Sequence, residues 1–178
     1  MSLSTNLLDA LSPKNRIFVA FSGGLDSTAL LFLCNKALKQ KKIRNLKAIH
    51  INHNLSKNSD NWQQHCESFC RSNNIKFESF IVEVSKNRSS IESQARQARY
   101  KIFESLLDEN DQILLAHHRD DVFETILLRL FRGTGVDGLS GLNEKRSLGK
   151  GEIIRPFLNL SKSAVSYTHL TLPTIGYV

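Results

Sequence analysis

Cysteine is scarce in this 178-residue chain: Cys34, Cys66 and Cys70 are the whole set, and no two form a C-x-x-C pair. That spacing argues against a structural zinc site, an iron–sulfur cluster and a disulfide scaffold. Cys34 falls on an apolar helical stripe. Cys66 and Cys70, four apart in a probable-helix pattern, share one face, so three core thiols in a reducing compartment account for the set. No apolar run approaches membrane-spanning length. The first eleven residues lack the basic stretch and long apolar core of a signal peptide, so the expected location is the cytoplasm, with no membrane partner. Two phosphate-binding signatures are also missing, the Gly-Lys-Ser/Thr of a Walker loop and the G-x-G-x-x-G dinucleotide turn.

What is present reads as one globular domain. Hydrophobic residues make up 40% and charged residues 23%, ample for a core and too little charge for disorder. A formal net charge of +7 points towards polyanionic partners, nucleic acid first. Part of that charge gathers as Lys36, Lys39, Lys41, Lys42, Arg44 and Lys47 around the end of a helix, where a solvated face complementing the dipole explains it.

The chain alternates strand and helix. A short amphipathic helix carries Leu3, Leu7, Leu8 and Leu11. Strands are expected over Arg16–Phe21, Leu46–Asn52, Phe77–Val84, Gln112–Ala116 and Glu152–Pro156. Helices are expected over Ser27–Lys39, Asn58–Ser72 (Trp62, Cys66 and Phe69 inward), Ser90–Asp108 and Asp120–Phe131 (Val122, Ile126, Leu127 and Leu130 apolar). Repeated β-α units predict an α/β fold, a doubly wound parallel sheet of about five strands in order 3-2-1-4-5. Ligands of such sheets sit at the carboxyl ends of the strands, at the switch point between strands one and four.

Three segments leave strands at that edge. The first is Ser22-Gly23-Gly24-Leu25-Asp26-Ser27, where a strand stops at two glycines and a helix begins. Glycines admit a sharp turn and close approach of a ligand, and the helix start offers free N–H groups to an anion. The same residues also suit a plain β–turn–α junction, with Asp26 or Ser27 as the helix cap. The second is His50-Ile51-Asn52-His53, in which either histidine lies near a ligand or sits in the core or on a surface loop. The third is His117-His118-Arg119-Asp120-Asp121. Its acids either complement a helix dipole or help hold Mg²⁺. Arg96 and Arg99, neighbours on one helix, either clamp a phosphate or stand in water beside Glu92 and Glu104. Arg132–Gly141 holds four glycines in nine residues and reads as a mobile substrate loop.

S-G-G-L-D-S resembles the pyrophosphate loop of the PP-loop ATPases. The segments Ser90–Tyr100, Ala116–Gly135 and Ile153–Phe157 make the resemblance narrower: together they are similar to the tRNA(Ile)-lysidine synthetase family, over roughly residues 14–165. The resemblance implies a Rossmann-like PP-loop fold, with ATP and Mg²⁺ as cofactors. It implies a ligase that adenylates the anticodon wobble cytidine of tRNA(Ile), releasing pyrophosphate, after which free lysine displaces AMP to form lysidine. By the same resemblance, Ser22, Gly23, Gly24, Leu25, Asp26 and Ser27 hold pyrophosphate, and Asp26 and Asp121 place Mg²⁺. Arg96 or Arg99 steadies charge at the α-phosphate; His50, His117 and His118 lie near the nucleotide. Arg132, Gly133 and Gly135 contact substrate. Other PP-loop adenylating enzymes, such as tRNA thiolases or amidotransferase-type ligases, and an ATP-binding fragment inactive on tRNA are the alternatives. The expected PP-loop domain spans residues 1–165. Residues 166–178 match nothing in the family, show no helix pattern and are expected to be a foreign tail, and the family's tRNA-gripping domains are expected to be absent. No oligomeric state follows from the sequence.

Overall fold

The apolar run of β1 (Arg16–Ala20) serves two cores at once. Ile17 and Val19 point to one, Phe18 to the other, the period-2 consequence of a strand buried on both faces. The computed structural model describes residues 7, 11–12, 15–54, 58–82, 91–131, 133 and 142–170, with side chains to residue 166.

In chain order the remaining elements are α1 (Leu25–Lys39), β2 (Asn45–Asn52), α2 (Ser59–Ser72), β3 (Lys76–Ile81), α3 (Ile91–Leu106), β4 (Gln112–Leu114), α4 (Arg119–Phe131), β5 (Lys145–Leu148), β6 (Gly151–Ile154) and α5 (Lys162–Leu170). They build one six-stranded sheet in order β3-β2-β1-β4-β6-β5. The β1–β2, β2–β3, β1–β4 and β4–β6 pairs are parallel, and β5–β6 is antiparallel. One core lies beneath α1, α2 and α5, with Leu30, Leu31, Cys34, Cys66, Cys70 and Val165 buried. The other lies beneath α3, around Phe103, Leu107, Ile113 and Ile153. The expected thiols are therefore core residues, all three free; burial pushes Cys66 up to about 11 and Cys70 up to about 12.

The expected doubly wound sheet and its order are correct, with one strand added. β5 was absent from the sequence reading because Lys145-Arg146-Ser147-Leu148 carries no alternating apolar pattern, and only Leu148 is buried. It joins β6 through Gly149 and Lys150, the glycine at φ +56°. A basic edge strand also discourages pairing with a further chain. The strand expected to reach Pro156 stops at Ile154, and the expected strand four stops at Leu114. α5 runs on through Leu170, against the expectation of no helix beyond residue 165. α4 forms as expected but buries none of its residues, and Leu130 is 54% exposed. Leu3, Leu8, Val84 and Ser90 lie outside the described residues. No helix among the described residues is long and apolar enough to cross a membrane.

Candidate active site

β1 ends, the chain turns at Ser22–Gly24, and α1 begins at Leu25. Gly24 is the N-cap, and no side chain caps the helix. Asp26 and Ser27, the expected caps, lie instead inside the first turn. Ser27 and Thr28 turn their hydroxyls back to donate to the Gly24 carbonyl, at 2.9 Å each. Ser22 Oγ lies 3.0 Å from Ser27 Oγ and accepts from the Gly24 N–H. The first helical amides therefore keep no acceptor from the helix or from a cap, the arrangement an anion completes. Gly23 has φ +79°, and a Cβ there would stand 2.7 Å from Cys66 Sγ and 3.1 Å from Trp62 Nε1. Both are on α2, so the loop rests directly on that helix. Trp62 is half exposed rather than turned inward as expected, and its indole N–H donates to the Ser22 carbonyl at 2.5 Å.

The opposite wall comes from the exits of β2 and β4 and from α3. A cleft of about 570 Å³ brings Ser22, Gly24, Asp26 and Ser27 together with His50, His53, Arg99, His117 and Asp121. His118 stands between two acids. Its backbone N–H donates to Asp121 Oδ2 (2.7 Å), and its Nδ1 accepts from the Asp121 N–H (3.4 Å). That reciprocal pair is a capping box for α4 with histidine in the N-cap role. By that bonding pattern Nε2 carries the proton, and it faces Asp26 Oδ2 at 3.7 Å. Asp26 Oδ1 is buried with no hydrogen-bond partner, as are His53 Nδ1 and Arg99 Nε. Buried polar atoms without partners are rare, and three around one cleft point to a polar ligand. His117 is held neutral: burial, with Arg155 beside it, pushes it down to about 4, and its Nδ1 accepts from Arg155 Nε at 3.3 Å. Burial lowers Arg99 as well, and lowers His53 with help from Arg99 and His50.

Comparison with known proteins places this geometry. A family model described as the PP-loop domain matches residues 2–175. The chain belongs to the PP-loop family. A tRNA(Ile)-lysidine synthase of Legionella pneumophila (strain Lens) is 46% identical over 156 residues, covering 88% of this chain and 36% of the relative. That of Coxiella burnetii is 42% identical over 156 residues, covering 87% and 34%. The chain thus spans about a third of the length of the relatives it matches. Among solved structures, a U34-tRNA thiolase from Methanococcus maripaludis superposes with a TM-score of 0.71 at 22% identity, covering 96% of this chain and 63% of that one. A Candida glabrata FMN adenylyltransferase gives 0.54 at 15%, covering 94% and 53%. At these identities both structures speak to fold alone.

Within this PP-loop domain the expected residues divide by position. Leu25 is 43% exposed at the loop's lip. His50 lines the cleft, yet its Nδ1 is committed to the Phe21 carbonyl at 2.8 Å, clipping β2 to the end of β1. Arg99 faces the cleft; Arg96 turns to the rim, its guanidinium 5.1 Å from the Tyr100 ring centre. Neither Arg96 nor Arg99 pairs with Glu92 or Glu104. Gly133 follows α4 at φ +68° and is not among the cleft residues; Arg132 and Gly135 lie outside the described residues. For Mg²⁺, Asp26 fits: it offers a buried, unpartnered oxygen, and this ion commonly takes one or two carboxylates with phosphates and waters. Asp121 borders the same cleft with one oxygen engaged in the capping box, and no group of three ligating side chains occurs among the described residues. Sequence reasoning missed Trp62 and Arg155 as site residues, and left His53 open beside His50; both histidines line the cleft. Arg155 had one signal, a lone cation inside the apolar run Ile153–Phe157. It is 2% exposed, and its Nη1 donates to the Asn143 carbonyl at 2.6 Å.

Proposed function

We propose that this PP-loop domain binds ATP and cleaves it between the α and β phosphates to adenylate a tRNA cytidine, the first half of lysidine formation. One observation carries the reading: an uncapped helix start behind Ser22–Gly24 faces Arg99 and a neutral His117 across a single cleft, with Asp26 presenting an unpartnered oxygen between them. The choice of tRNA(Ile) as substrate rests on the names of the relatives at 42–46% identity.

In this reading the loop amides and the Ser22 and Ser27 hydroxyls bind the departing pyrophosphate. Arg99 steadies the charge that builds at the α-phosphate when the cytosine 2-oxygen attacks, where a cation in a partly dried cleft is worth most. Asp26 and Asp121 are the residues that would hold Mg²⁺, which supplies charge neutralisation on the phosphates. His118 starts α4 and turns its Nε2 towards Asp26 at 3.7 Å, so one residue borders both walls of the cleft. His117, kept neutral, borders the cleft without adding positive charge. Free lysine then displaces AMP.

The test is incubation of the chain with ATP, radiolabelled lysine and tRNA(Ile). Label entering the anticodon cytidine is the expected result, and Asp26→Ala is expected to lose at least a hundredfold in AMP release, the scale of losing a charge-stabilising group. Unchanged AMP release by that variant overturns the assignment. Pyrophosphate release without label would assign this chain to adenylation alone.

A further inference from the structure

Four arginines without an acidic partner among the described residues converge on one tyrosine beside the cleft. Arg96 and Arg99 approach the Tyr100 ring from α3 itself, their guanidinium carbons 5.1 and 5.8 Å from its centre. Arg146 reaches the same ring from β5, at 5.2 Å. Arg155 is buried at the end of β6; burial lowers its pKa, Tyr100 beside it acts in the opposite direction, and Arg146 and Arg96 add smaller lowering contributions. Three cations elsewhere have acidic partners: Arg16 pairs with Asp108 and Asp111, Lys47 with Glu78, and Arg71 with Glu67; what sets the Tyr100 group apart is that its arginines are gathered around one ring rather than spread over a solvated face. Among the described residues none of the four around Tyr100 has an ion pair. Like charges gathered without a counter-charge repel one another, and an anion relieves that repulsion.

The arrangement favours a strand of phosphates over a single one. Guanidiniums lying over an aromatic ring keep their planes fixed and their N–H edges available for phosphate. The cluster starts at the cleft wall with Arg99 and ends on the sheet's outermost strand with Arg146, so it leads away from the loop that would take the pyrophosphate. Arg155 fixes the β5–β6 hairpin to the exit of β4, through the Asn143 carbonyl and His117 Nδ1. That bracing keeps Arg146 facing Tyr100.

We propose that Arg96 and Arg146, stacked on Tyr100 and backed by the buried charge of Arg155, form a second anion subsite beside the nucleotide cleft that takes a backbone phosphate of the RNA strand presenting the reacting base. This rests on the reading that the chain acts on tRNA. Arg146 is the residue to test, because it lies on the edge strand and touches none of the residues assigned to ATP.

Binding of a fluorescent anticodon stem-loop RNA is measured by anisotropy over a salt series for the wild type, Arg146→Gln and Arg146→Lys, with ATP affinity measured in parallel. Arg146→Gln is expected to weaken RNA binding about three- to tenfold and to reduce the salt slope by about 1, with ATP affinity unchanged. Arg146→Lys is expected to restore the slope while recovering only part of the affinity, since it keeps the charge and loses the planar contact. Unchanged RNA affinity and slope in Arg146→Gln overturns the subsite. So does a loss of ATP affinity with the slope intact, which would assign the cluster to the nucleotide's own phosphates. Lysine transfer by the wild type is scored separately. A wild type that releases no pyrophosphate and transfers no label, but whose RNA salt slope falls by about 1 in Arg146→Gln, sinks the functional reading and supports the subsite.

Discussion

Gly23 is the residue on which the phosphate loop turns, and two independent reasons bar a side chain there. Its φ of +79° is a region that L residues occupy at a cost, and a Cβ would press on Cys66 Sγ and the Trp62 indole. Gly23→Ala is therefore expected to destabilise the fold by about 1–3 kcal/mol and to displace the Ser22 carbonyl that Trp62 holds. Since this is the chain's one tryptophan, its fluorescence reports the loop directly. A variant with unchanged emission, melting temperature and ATP affinity would show that the loop does not depend on Gly23. His117 carries a pH prediction. Its folded pKa lies near 4, below the ordinary 6.5, because burial and Arg155 oppose its protonation. Above pH 6.5 both folded and unfolded states hold it neutral. As pH falls from about 6.5 towards 4 the unfolded state takes up a proton that the folded state refuses, so stability drops through that window. His117→Asn, which keeps an acceptor for Arg155, should flatten that part of the pH profile. Urea midpoints at neutral and acidic pH check it; an unchanged slope would mean that other groups govern acid sensitivity.

At the scale of elements, legibility followed burial pattern. β1, β2 and β4 were readable because strands buried on both faces spell near-continuous apolar runs, and helices α1 and α3 because their stripes repeat at helical spacing. β5 was not, since an edge strand of Lys145, Arg146 and Ser147 buries too little to leave a pattern. α4 shows the reverse failure: its expected apolar face of Val122, Ile126, Leu127 and Leu130 is only partly buried, with Leu130 54% exposed, and Phe123 and Phe131 stand out further at 64 and 83%. An apolar stripe announces the capacity to bury, and only the tertiary arrangement decides whether a partner meets it. The candidate site divided in the same way. The loop and the His117–Asp121 segment were legible as local motifs at strand exits. Trp62 and Arg146 were not, because each acts on a residue far away in the chain: Ser22 for one, Tyr100 for the other.

The molecule as a whole separates its functions along the strand axis. The carboxyl edge of the sheet gathers the loop, the histidines and the arginines around Tyr100, whereas the amino edge is tied by closed ion pairs. Arg16, at the start of β1, donates from Nε to Asp111 Oδ1 at 3.0 Å and from Nη2 to Asp111 Oδ2, with a further contact to Asp108. The Asp111 side chain is 5% exposed, and its Oδ2 also accepts the Asp108 N–H. This latch joins β1 to the turn that leads into β4, the two strands flanking the switch point. Asp111 and Asp108 together raise the Arg16 pKa, the hydrogen bond to Asp111 foremost, so the contact is charged across the working range. Arg16→Ala would leave a nearly buried carboxylate short of its main partner, at an expected cost of about 2–3 kcal/mol. Arg16→Lys keeps a charge but cannot match the two-pronged contact, and should recover only part of that loss. Because the latch lies at the far end of the strands from the cleft, ATP affinity of the folded Arg16→Ala protein should stay within about twofold of wild type, as expected for well-separated sites. Thermal unfolding alongside nucleotide titration decides the point: a fall in ATP affinity matching the fall in stability would mean that the two edges are coupled through β1 and β4 rather than independent.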